Sequence, residues 1–398
     1  MKKLLLLGGS RYLLPVIREA HALGYHVITC DYLPDNIAHR YSDEYHNVSI
    51  VDKEAVLALA KELQVDGIMS FATDPGVVTA AYVSEALGLP TPPLHSVEIL
   101  QNKDKFRAFL AEHGFNVPKA RGYDSIEHAL RDHDYFTWPV IVKPVDSAGS
   151  KGVTRVETPD KLEESLRYAL QFSIGKRFII EEFIEKDYDS SDTDCFSVNN
   201  ELTFVSFSNQ KFDTGAENPY TPAAYSWPSN MPEESQEELR AELQRLIRLL
   251  NMGTSIYNIE TRLGKNGKTY IMELSPRGGG NRLSEVLHYA TGVNLIRNAV
   301  LAAVGETDLS VSQQPYNGYW GEYIIHSDAE GAFNELVIAP ELAPFVYETD
   351  LWVEQGDTVK RFTGANESIG TLVLKFDTKE QQETLLNNIK QLVSVSVK

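Results

Sequence analysis

The first 96 residues alternate short apolar runs with longer stretches of helical spacing, and this alternation restricts the fold more than any other feature. The runs "KLLLLGG", "YHVITCDY" and "VDGIMSF" are each followed by a helical pattern such as "KEAVLALAKELQ". Such alternation is typical of a parallel sheet with helices on both faces. We therefore expect an α/β domain at the N-terminus.

The rest of the chain predicts mixed strands and helices. After the linker "PTPPLHS", the stretch "SVEILQNKDKFRAFLAEHG" predicts one helix that ends at Gly114. The segments "SVNNELTF" and "RLGKNGKTY" predict hairpins, because Asn-Asn and Asn-Gly suit the positive φ angles of tight turns. The segment 212–230, rich in aromatic residues and proline, predicts a long loop that lines or covers a substrate pocket. The last part, 306–398, is rich in strand patterns.

Composition argues against several functional classes. The 398 residues carry a formal net charge of −19, whereas nucleic-acid binders usually show a basic face. The two cysteines are far apart, which indicates a reducing compartment and supports neither a disulfide framework nor a zinc site. No stretch approaches the roughly 20 apolar residues of a membrane span. We expect a cytoplasmic protein without nucleic-acid or membrane partners.

A glycine turn follows the first strand. Gly8 and Gly9 precede "SRYL", and Asp31 ends the second strand. The spacing departs from the G-x-G-x-x-G of dinucleotide sites, so NAD is not favoured. Two interpretations of this turn stay open: it is purely structural, or it contacts a different substrate.

The stretch "WPVIVKPVDSAGSKGV" places Lys143 at the end of an apolar strand. A buried lysine is costly without a partner, and an arriving anion would provide one. The loop 146–152 has few bulky side chains, so its backbone N–H groups can approach phosphates. An exposed hairpin is the alternative interpretation.

Two further stretches carry charged residues in apolar runs. In "RFIIEEFIEKD", residues 181–184 can offer backbone groups and an apolar surface to an adenine ring. In "YNIETRLGKNGKTYIMELSPRGGGNR", the hairpin places Glu260 and Glu273 on paired strands. Facing carboxylates repel, and Mg²⁺ would resolve the conflict. Arg277 follows and can hold a carboxylate or phosphate.

These ordered motifs resemble the ATP-grasp superfamily, and within it the carboxylate–amine ligase-like members, along nearly the whole chain. The resemblance implies an α/β and α+β multidomain fold. Its parts are a Rossmann-like pre-ATP-grasp domain (1–96), a two-lobed ATP-grasp module (97–305, with lobes at about 97–180 and 181–305) and a small strand-rich C-terminal domain (306–398).

The resemblance also implies roles for individual residues. Lys105 and Lys143 are implied to be the two ATP-phosphate lysines, Lys143 and Arg277 to be catalytic, and Glu260 and Glu273 to bind Mg²⁺, with Mn²⁺ as an alternative ion. The implied cofactor-binding set also includes Ser147, Gly149, Ser150 and Gly152 of the glycine loop, Glu181, Glu182, Phe183 and Ile184 of the adenine hinge, and Lys211.

The chain departs from the family pattern at two points. Ser275 stands where "E-x-N-P-R" has asparagine, which implies weaker or water-mediated binding of a second metal ion. The family has an acidic residue that binds the ribose hydroxyls, and the sequence does not decide which of Asp189, Asp192 and Asp194 takes this role.

The function implied is an ATP-dependent, ADP-forming ligase that joins a carboxylate to an amine through an acyl phosphate. Its substrates would be small molecules, and a homodimer is left open. A glycinamide ribonucleotide synthetase-like or bicarbonate-activating enzyme is one alternative. A nucleotide-binding regulatory protein without turnover is another.

Overall fold

The N-terminal part of the chain is a parallel sheet of order β3-β2-β1-β4, as the alternation predicted. The computed structural model describes residues 1–147, 151–216 and 219–398. The elements of this part are β1 (Lys3–Leu7), α1 (Leu14–Ala22), β2 (His26–Cys30), β3 (Glu44–His46), α2 (Lys53–Leu63), β4 (Gly67–Ser70) and α3 (Val77–Leu87).

Helices cover both faces of this sheet because side chains alternate along β1. Leu4 and Leu6 pack in the cluster that contains Val16 of α1, and Leu5 and Leu7 pack in the cluster that contains Val56 of α2. The four leucines of β1 therefore contribute side chains to the hydrophobic cores on both faces of the sheet. The carboxyl end of β1 leads into Gly8, whose φ of +120° favours glycine.

The single helix predicted up to Gly114 is two helices, α4 (Leu94–Gln101) and α5 (Lys103–Glu112). Asn102 between them has an extended backbone, and its side-chain amide donates to the Glu98 carbonyl. The apolar spacing hides this break because both helices bury one face in a common core. The break makes Lys103 the first residue of α5.

A four-stranded antiparallel sheet of order β5-β8-β6-β7 follows. Its core contains Val140, Val142, Phe178 and Ile180, with Leu166 of the covering helix. The elements are β5 (Ala120–Tyr123), α6 (Ile126–Arg131), β6 (Val140–Pro144), β7 (Thr154–Val156), α7 (Leu162–Gln171) and β8 (Phe178–Glu182).

The next sheet, β10-β9-β13-β14, is also antiparallel and contains both predicted hairpins. Asn199 and Asn200 have φ angles of 50° and 69°, and Gly267 has 74°, as the turn residues predicted. The elements are β9 (Ser191–Val198), β10 (Glu201–Phe204), β11 (Asn209–Phe212), β12 (Pro222–Trp227), α8 (Glu233–Leu249), β13 (Ser255–Leu263), β14 (Thr269–Ser275), α9 (Leu283–Thr291) and α10 (Leu295–Ala303).

Two strands from before residue 306 belong to a sheet whose other strands lie after it, and of the two, β12 pairs directly with the later strand β15. β11 and β12 join the sheet β11-β12-β15-β19-β17, and a smaller sheet has the order β18-β16-β20. The remaining elements are β15 (Tyr319–Ile325), β16 (Gly331–Ile338), β17 (Val346–Leu351), β18 (Thr358–Val359), β19 (Gly370–Phe376), α11 (Lys379–Asn387), α12 (Ile389–Leu392) and β20 (Val393–Val397). The boundary at 305/306 therefore falls between strands of one sheet, and the domain limits stay a prediction.

The long loop predicted over 212–230 is only partly a loop. Residues 222–227 form β12, and Tyr225 and Trp227 are buried, with exposed fractions of 1% and 0%. The aromatic residues pack against β15, which lies about a hundred residues later in the chain. Of the segment, Glu217 and Asn218 lie outside the described residues.

No helix in the described ranges is both long and apolar enough to cross a bilayer.

Buried Gln382 ties α11 to the five-stranded sheet. Its amide nitrogen donates at 2.8 Å to the carbonyls of Trp227 and Trp320, which are paired across β12 and β15.

Replacing Gln382 with methionine leaves both buried carbonyls without this donor. We expect the free energy of unfolding to fall by about 2 kcal/mol, measured by urea denaturation. The exposed Gln391→Met is the control, and an equal effect in both variants would contradict this account.

Candidate active site

Helix α5 directs two cations toward the end of β6. The Lys103 Nζ donates to the Ser147 carbonyl at 2.9 Å, and the Arg107 Nε lies 3.0 Å from Oε1 of Glu181. Residues four apart lie on one face of a helix, so Lys103 and Arg107 point the same way. Arg107 is only 3% exposed.

The structure does not bring Lys105 to this group. Lys105 is exposed, and residues two apart on a helix point in nearly opposite directions. The lysine that faces the site is Lys103, the other lysine of "NKDK". The sequence held a signal for it, since only Lys103 is spaced four residues from a second cation, Arg107. Lys103 is therefore a second candidate for the phosphate-binding role predicted for Lys105, and that role stays a prediction.

Lys143 of β6 lies at the centre of the group. Its Nζ is 2.9 Å from Oε2 of Glu181 on the neighbouring strand β8, and its side chain is 14% exposed. Burial lowers the pKa of Lys143, while the Glu181 charge opposes that shift. Burial alone would raise the pKa of Glu181, but Arg107 and Lys143 lower it to about 2.

These four side chains carry a net positive charge. Lys103, Arg107 and Lys143 are three cations around the single carboxylate of Glu181. Among the described residues, Nη1 and Nη2 of Arg107 have no hydrogen-bond partner. A buried site with two uncompensated positive charges is suited to an anion.

The predicted glycine loop follows β6. Ser147 stands at its start, while Gly149, Ser150 and the intervening Ala148 lie outside the described residues. Gly152 has a φ of +72°, and a Cβ there would lie 2.9 Å from the Phe172 ring. Only glycine suits that position.

The predicted hinge, 181–184, is held by side-chain contacts. Glu181 is 2% exposed, and its carboxylate is occupied by two cations. The Glu182 Oε1 accepts from the Thr137 N–H at 2.8 Å, and Arg155 lies 4.2 Å from the centre of the Phe183 ring. The Ile184 carbonyl accepts from Arg262 at 3.1 Å. An adenine contact here stays a prediction, and the role observed for Glu181 is to hold Lys143.

Lys211 of β11 is paired with Asp189, at 3.2 Å between Nζ and Oδ2. The same carboxyl oxygen accepts from the Asn230 amide at 3.2 Å. Asp189 therefore anchors the loop before β9, and no ribose contact is needed to explain its position.

Three carboxylates lie side by side across β9, β13 and β14. Glu260 is directly opposite Glu273 on one side and Asp192 on the other. Glu260 is 3.6 Å from Arg262, and neither Glu260 nor Glu273 accepts a hydrogen bond from a described residue. Two half-buried carboxylates with free oxygens fit a hard divalent cation.

Asp192 was expected only as a candidate ribose ligand. Burial raises its pKa to about 7, with the Glu260 charge adding to the shift. The Tyr225 hydroxyl donates to its Oδ2 at 3.0 Å, and the Asn258 amide donates to its Oδ1 at 2.9 Å. The sequence could not place Asp192 beside Glu260, because that proximity depends on the pairing of β9 with β13.

Arg277 is joined to the N-terminal domain. Its guanidinium donates through Nε at 2.9 Å and Nη2 at 2.7 Å to the two carboxyl oxygens of Asp74, which lies in the turn after β4. Burial would lower the pKa of Arg277, but the Asp74 charge raises it well above its usual value. In this structure the guanidinium is held by Asp74, and its predicted contact with a phosphoryl group or a substrate carboxylate stays a prediction.

Ser275, the departure from the family motif, belongs to the same contact. Its hydroxyl donates to Asp74 at 2.9 Å and accepts from the Gln101 amide at 2.8 Å. It lies two residues after Glu273 on β14, and its hydroxyl oxygen contacts Asp74. Its observed role is thus to hold the N-terminal domain.

Asp194 fixes the glycine-rich segment that follows Arg277. Its carboxylate accepts from the Gly279 N–H at 2.8 Å and from the Ser284 hydroxyl. Burial raises the pKa of Asp194 to about 6. A Cβ on Gly278 would lie 2.2 Å from the Phe71 ring, so the segment packs directly on the N-terminal domain.

The Asp74–Arg277 pair can be tested by an isosteric change. Asp74→Asn leaves the buried Arg277 guanidinium without its counter-ion, and loss of one partner of such a pair is costly. We expect the free energy of unfolding to fall by about 3 kcal/mol, measured by chemical denaturation. Asp35→Asn, at an exposed position, is the control. If Asp74→Asn lowers the free energy of unfolding by less than the control variant does, the Asp74–Arg277 pair does not stabilise the contact between the N-terminal domain and the end of β14.

Two domain families match the chain. Residues 136–285 match the ATP-grasp domain, and residues 17–91 match the ATP-grasp N-terminal domain. The carbamoyl phosphate synthase large chain of Thermotoga maritima is 25% identical over 285 residues, which is 71% of this chain. The match covers 25% of that relative's own length.

Two solved structures share the fold along the whole chain. The L-amino acid ligase from Bacillus licheniformis aligns with a TM-score of 0.81 at 21% identity, over 100% of this chain and 99% of that one. The phosphoribosylglycinamide synthetase from Anaerococcus prevotii aligns with a TM-score of 0.78 at 21% identity, over 100% of both chains. The predicted fold class is confirmed.

Proposed function

Because the chain belongs to the ATP-grasp superfamily, as its motifs predicted, we propose that it is an ADP-forming ligase that joins a carboxylate to an amine. ATP-grasp enzymes use ATP and Mg²⁺. In the proposed reaction, a substrate carboxylate attacks the γ-phosphate of ATP, which gives an acyl phosphate and ADP. The amine then attacks the acyl carbon, forms the C–N bond and displaces phosphate.

One observation carries the proposal: the positive cluster and the carboxylate pair are connected through the buried Asp74–Arg277 ion pair. The charge of Lys103 acts on Asp74, Asp74 holds Arg277, and Arg277 interacts electrostatically with Glu273. A triphosphate with a divalent cation matches this order of charges. Its anionic oxygens suit the cations, and the metal ion suits Glu260 and Glu273.

Each residue then has a task in the proposed reaction. Lys103 and Lys143 hold phosphate oxygens, and Glu181 with Arg107 fixes the Lys143 ammonium in place. Glu260 and Glu273 would hold Mg²⁺, which when bound offsets the negative charge of the phosphate oxygens. Arg277, fixed by Asp74, adds a stationary positive charge to the site. Catalysis of this kind rests on positioning and charge neutralisation.

The substrates proposed are small molecules. The cytoplasmic location, the homodimer and the absence of nucleic-acid partners stay predictions.

The activity can be tested by ADP release from Mg-ATP with pooled small carboxylates, in the presence and absence of pooled amines. We expect release that requires a carboxylate, increases with an amine and falls at least ~100-fold in Lys143→Ala and Glu273→Ala. Release with bicarbonate alone would favour a bicarbonate-activating enzyme. ATP binding without any release under all conditions would favour a regulatory nucleotide-binding protein.

The assignment of the first phosphate lysine has its own test. Lys103→Gln removes a cation from the cluster, whereas Lys105→Gln changes an exposed side chain of the same helix. We expect the first variant to weaken ATP binding ~10-fold or more and the second to leave it unchanged, as measured by calorimetric titration. The opposite ranking would return the role to Lys105.

A further inference from the structure

Three metal-ligating side chains meet at the ends of two strands of the five-stranded sheet. Asp213 directly follows β11, and His326 and Asp328 follow β15. One ligand atom from each residue lies within 4.8 Å of the other two. Asp213 and His326 are buried, with exposed fractions of 4% and 5%, whereas the Asp328 side chain is 71% exposed. The group is therefore open to solvent on one side, and none of the three residues belongs to the proposed ATP site.

The contacts of His326 determine its tautomer. Nδ1 lies 2.7 Å from the Ile324 carbonyl oxygen, which can only accept, so Nδ1 carries a proton and donates it. Burial lowers the pKa of His326, so the ring is neutral at neutral pH and Nε2 bears a lone pair. The ring is stacked on Phe362, with centres 4.0 Å apart. A histidine whose other ring N–H is held by a backbone carbonyl has the form that metal ligands usually take.

The lone pair on Nε2 of His326 faces another acceptor. Nε2 is 3.3 Å from Oδ2 of Asp213. Burial alone would raise the pKa of Asp213, but hydrogen bonds from Lys390 and Gly215 lower it, so this carboxyl group is ionised and has no proton to donate. Two lone pairs therefore face each other in a buried place, and a metal ion bound by both would remove the repulsion.

Both aspartates are held in position by contacts outside the group. Oδ1 of Asp213 accepts from the Gly215 N–H at 2.9 Å, which leaves Oδ2 directed at His326. The Asp328 carbonyl accepts from Nε of Arg361 at 2.9 Å, which fixes the backbone that carries this side chain. Such outer contacts orient the ligands in metal sites.

Lys390 of α12 supplies the positive charge in this structure. Its Nζ lies 2.6 Å from Oδ2 of Asp213 and 2.9 Å from Oδ1 of Asp328. Among the described residues, none donates a hydrogen bond to Nε2 of the neutral His326. The Lys390 side chain is 38% exposed, so it can turn toward solvent when a metal ion takes its place. The ammonium group thus neutralises carboxylate charge but leaves the imidazole lone pair unused.

We propose that Asp213, His326 and Asp328 bind a transition-metal ion such as Zn²⁺ through Nε2 of the histidine and one oxygen of each aspartate. Imidazole combined with carboxylates suits this class of ion, whereas Mg²⁺ prefers oxygen ligands. Three protein ligands leave a fourth position for water on the exposed side. The ion displaces the Lys390 ammonium and links the end of β11 to the end of β15.

This site is independent of the proposed ligase function and of the carboxylates proposed to bind Mg²⁺. The two cysteines take no part in it, in line with the expectation that they do not form a zinc site. The sequence offered little sign of it, because Asp213 and His326 are 113 residues apart.

Zn²⁺ binding to the full chain tests the site. The protein is freed of metal ions with a chelator, kept in excess Mg²⁺ without nucleotide, and titrated calorimetrically with Zn²⁺. We expect Zn²⁺ to bind and Asp328→Asn, at an exposed position, to weaken that binding ~10-fold or more. The matched control is Asp308→Asn, at another exposed position, which should leave the affinity unchanged.

Lys390 distinguishes a metal site from an ordinary ion pair. Lys390→Gln removes the group that competes with the ion, so we expect it to strengthen Zn²⁺ binding ~3-fold or more. The exposed Lys360→Gln is the control, with no change in affinity. If the group were only an ion pair, Lys390→Gln would destabilise the protein and Zn²⁺ would have no effect on it.

Thermal unfolding of the unaltered protein covers the case in which Lys390→Gln does not fold. An ion that binds only the folded chain raises Tm. Zn²⁺ should therefore raise Tm of the unaltered protein and of Asp308→Asn, but not of Asp328→Asn, and added Mg²⁺ should not replace it. The proposal is overturned if no Zn²⁺ binds, if Asp328→Asn binds it as well as the unaltered protein, or if a folded Lys390→Gln variant binds it no more tightly.

Discussion

The contact between Glu181 and its two cations determines how the proposed phosphate-binding half of the site is built. Without Glu181, the end of β6 would hold Lys103, Arg107 and Lys143 close together in a buried place, where like charges are costly. With it, Lys143 has a fixed position, and two positive charges remain for an incoming anion. The partners come from α5, β6 and β8, so the geometry depends on the packing of that helix against the antiparallel sheet.

The N-terminal domain takes part in the site through a second ion pair. Asp74, in the turn after β4, reaches Arg277 and Ser275 at the end of β14. The carboxyl end of a parallel strand is where ligands commonly bind in α/β sheets. Here that edge holds an arginine of the ATP-grasp module, so the two parts share one buried electrostatic contact. Phe71 on Gly278 reinforces it by packing.

The site separates charge of two signs. Cations gather at the end of β6, and carboxylates gather on β9, β13, β14 and β15. The proposed ATP–metal complex would use the first group together with Glu260 and Glu273. The proposed ATP–metal complex does not use Glu322. This residue lies on β15, in the five-stranded sheet that also contains β12.

The sequence by itself determined the N-terminal parallel sheet, both hairpins and the pairing of Glu260 with Glu273, because these depend on local spacing and turn residues. It also identified Lys143, since a lysine at the end of an apolar run indicates an unusual environment. It pointed to Lys105 rather than Lys103, because the break at Asn102 that sets the direction of α5 is invisible in the apolar pattern. The positions of Asp74, Asp192, His326 and Glu322 were decided only by the tertiary structure. Each acts on residues far away in the chain, and buried charges find their partners through packing rather than through local sequence.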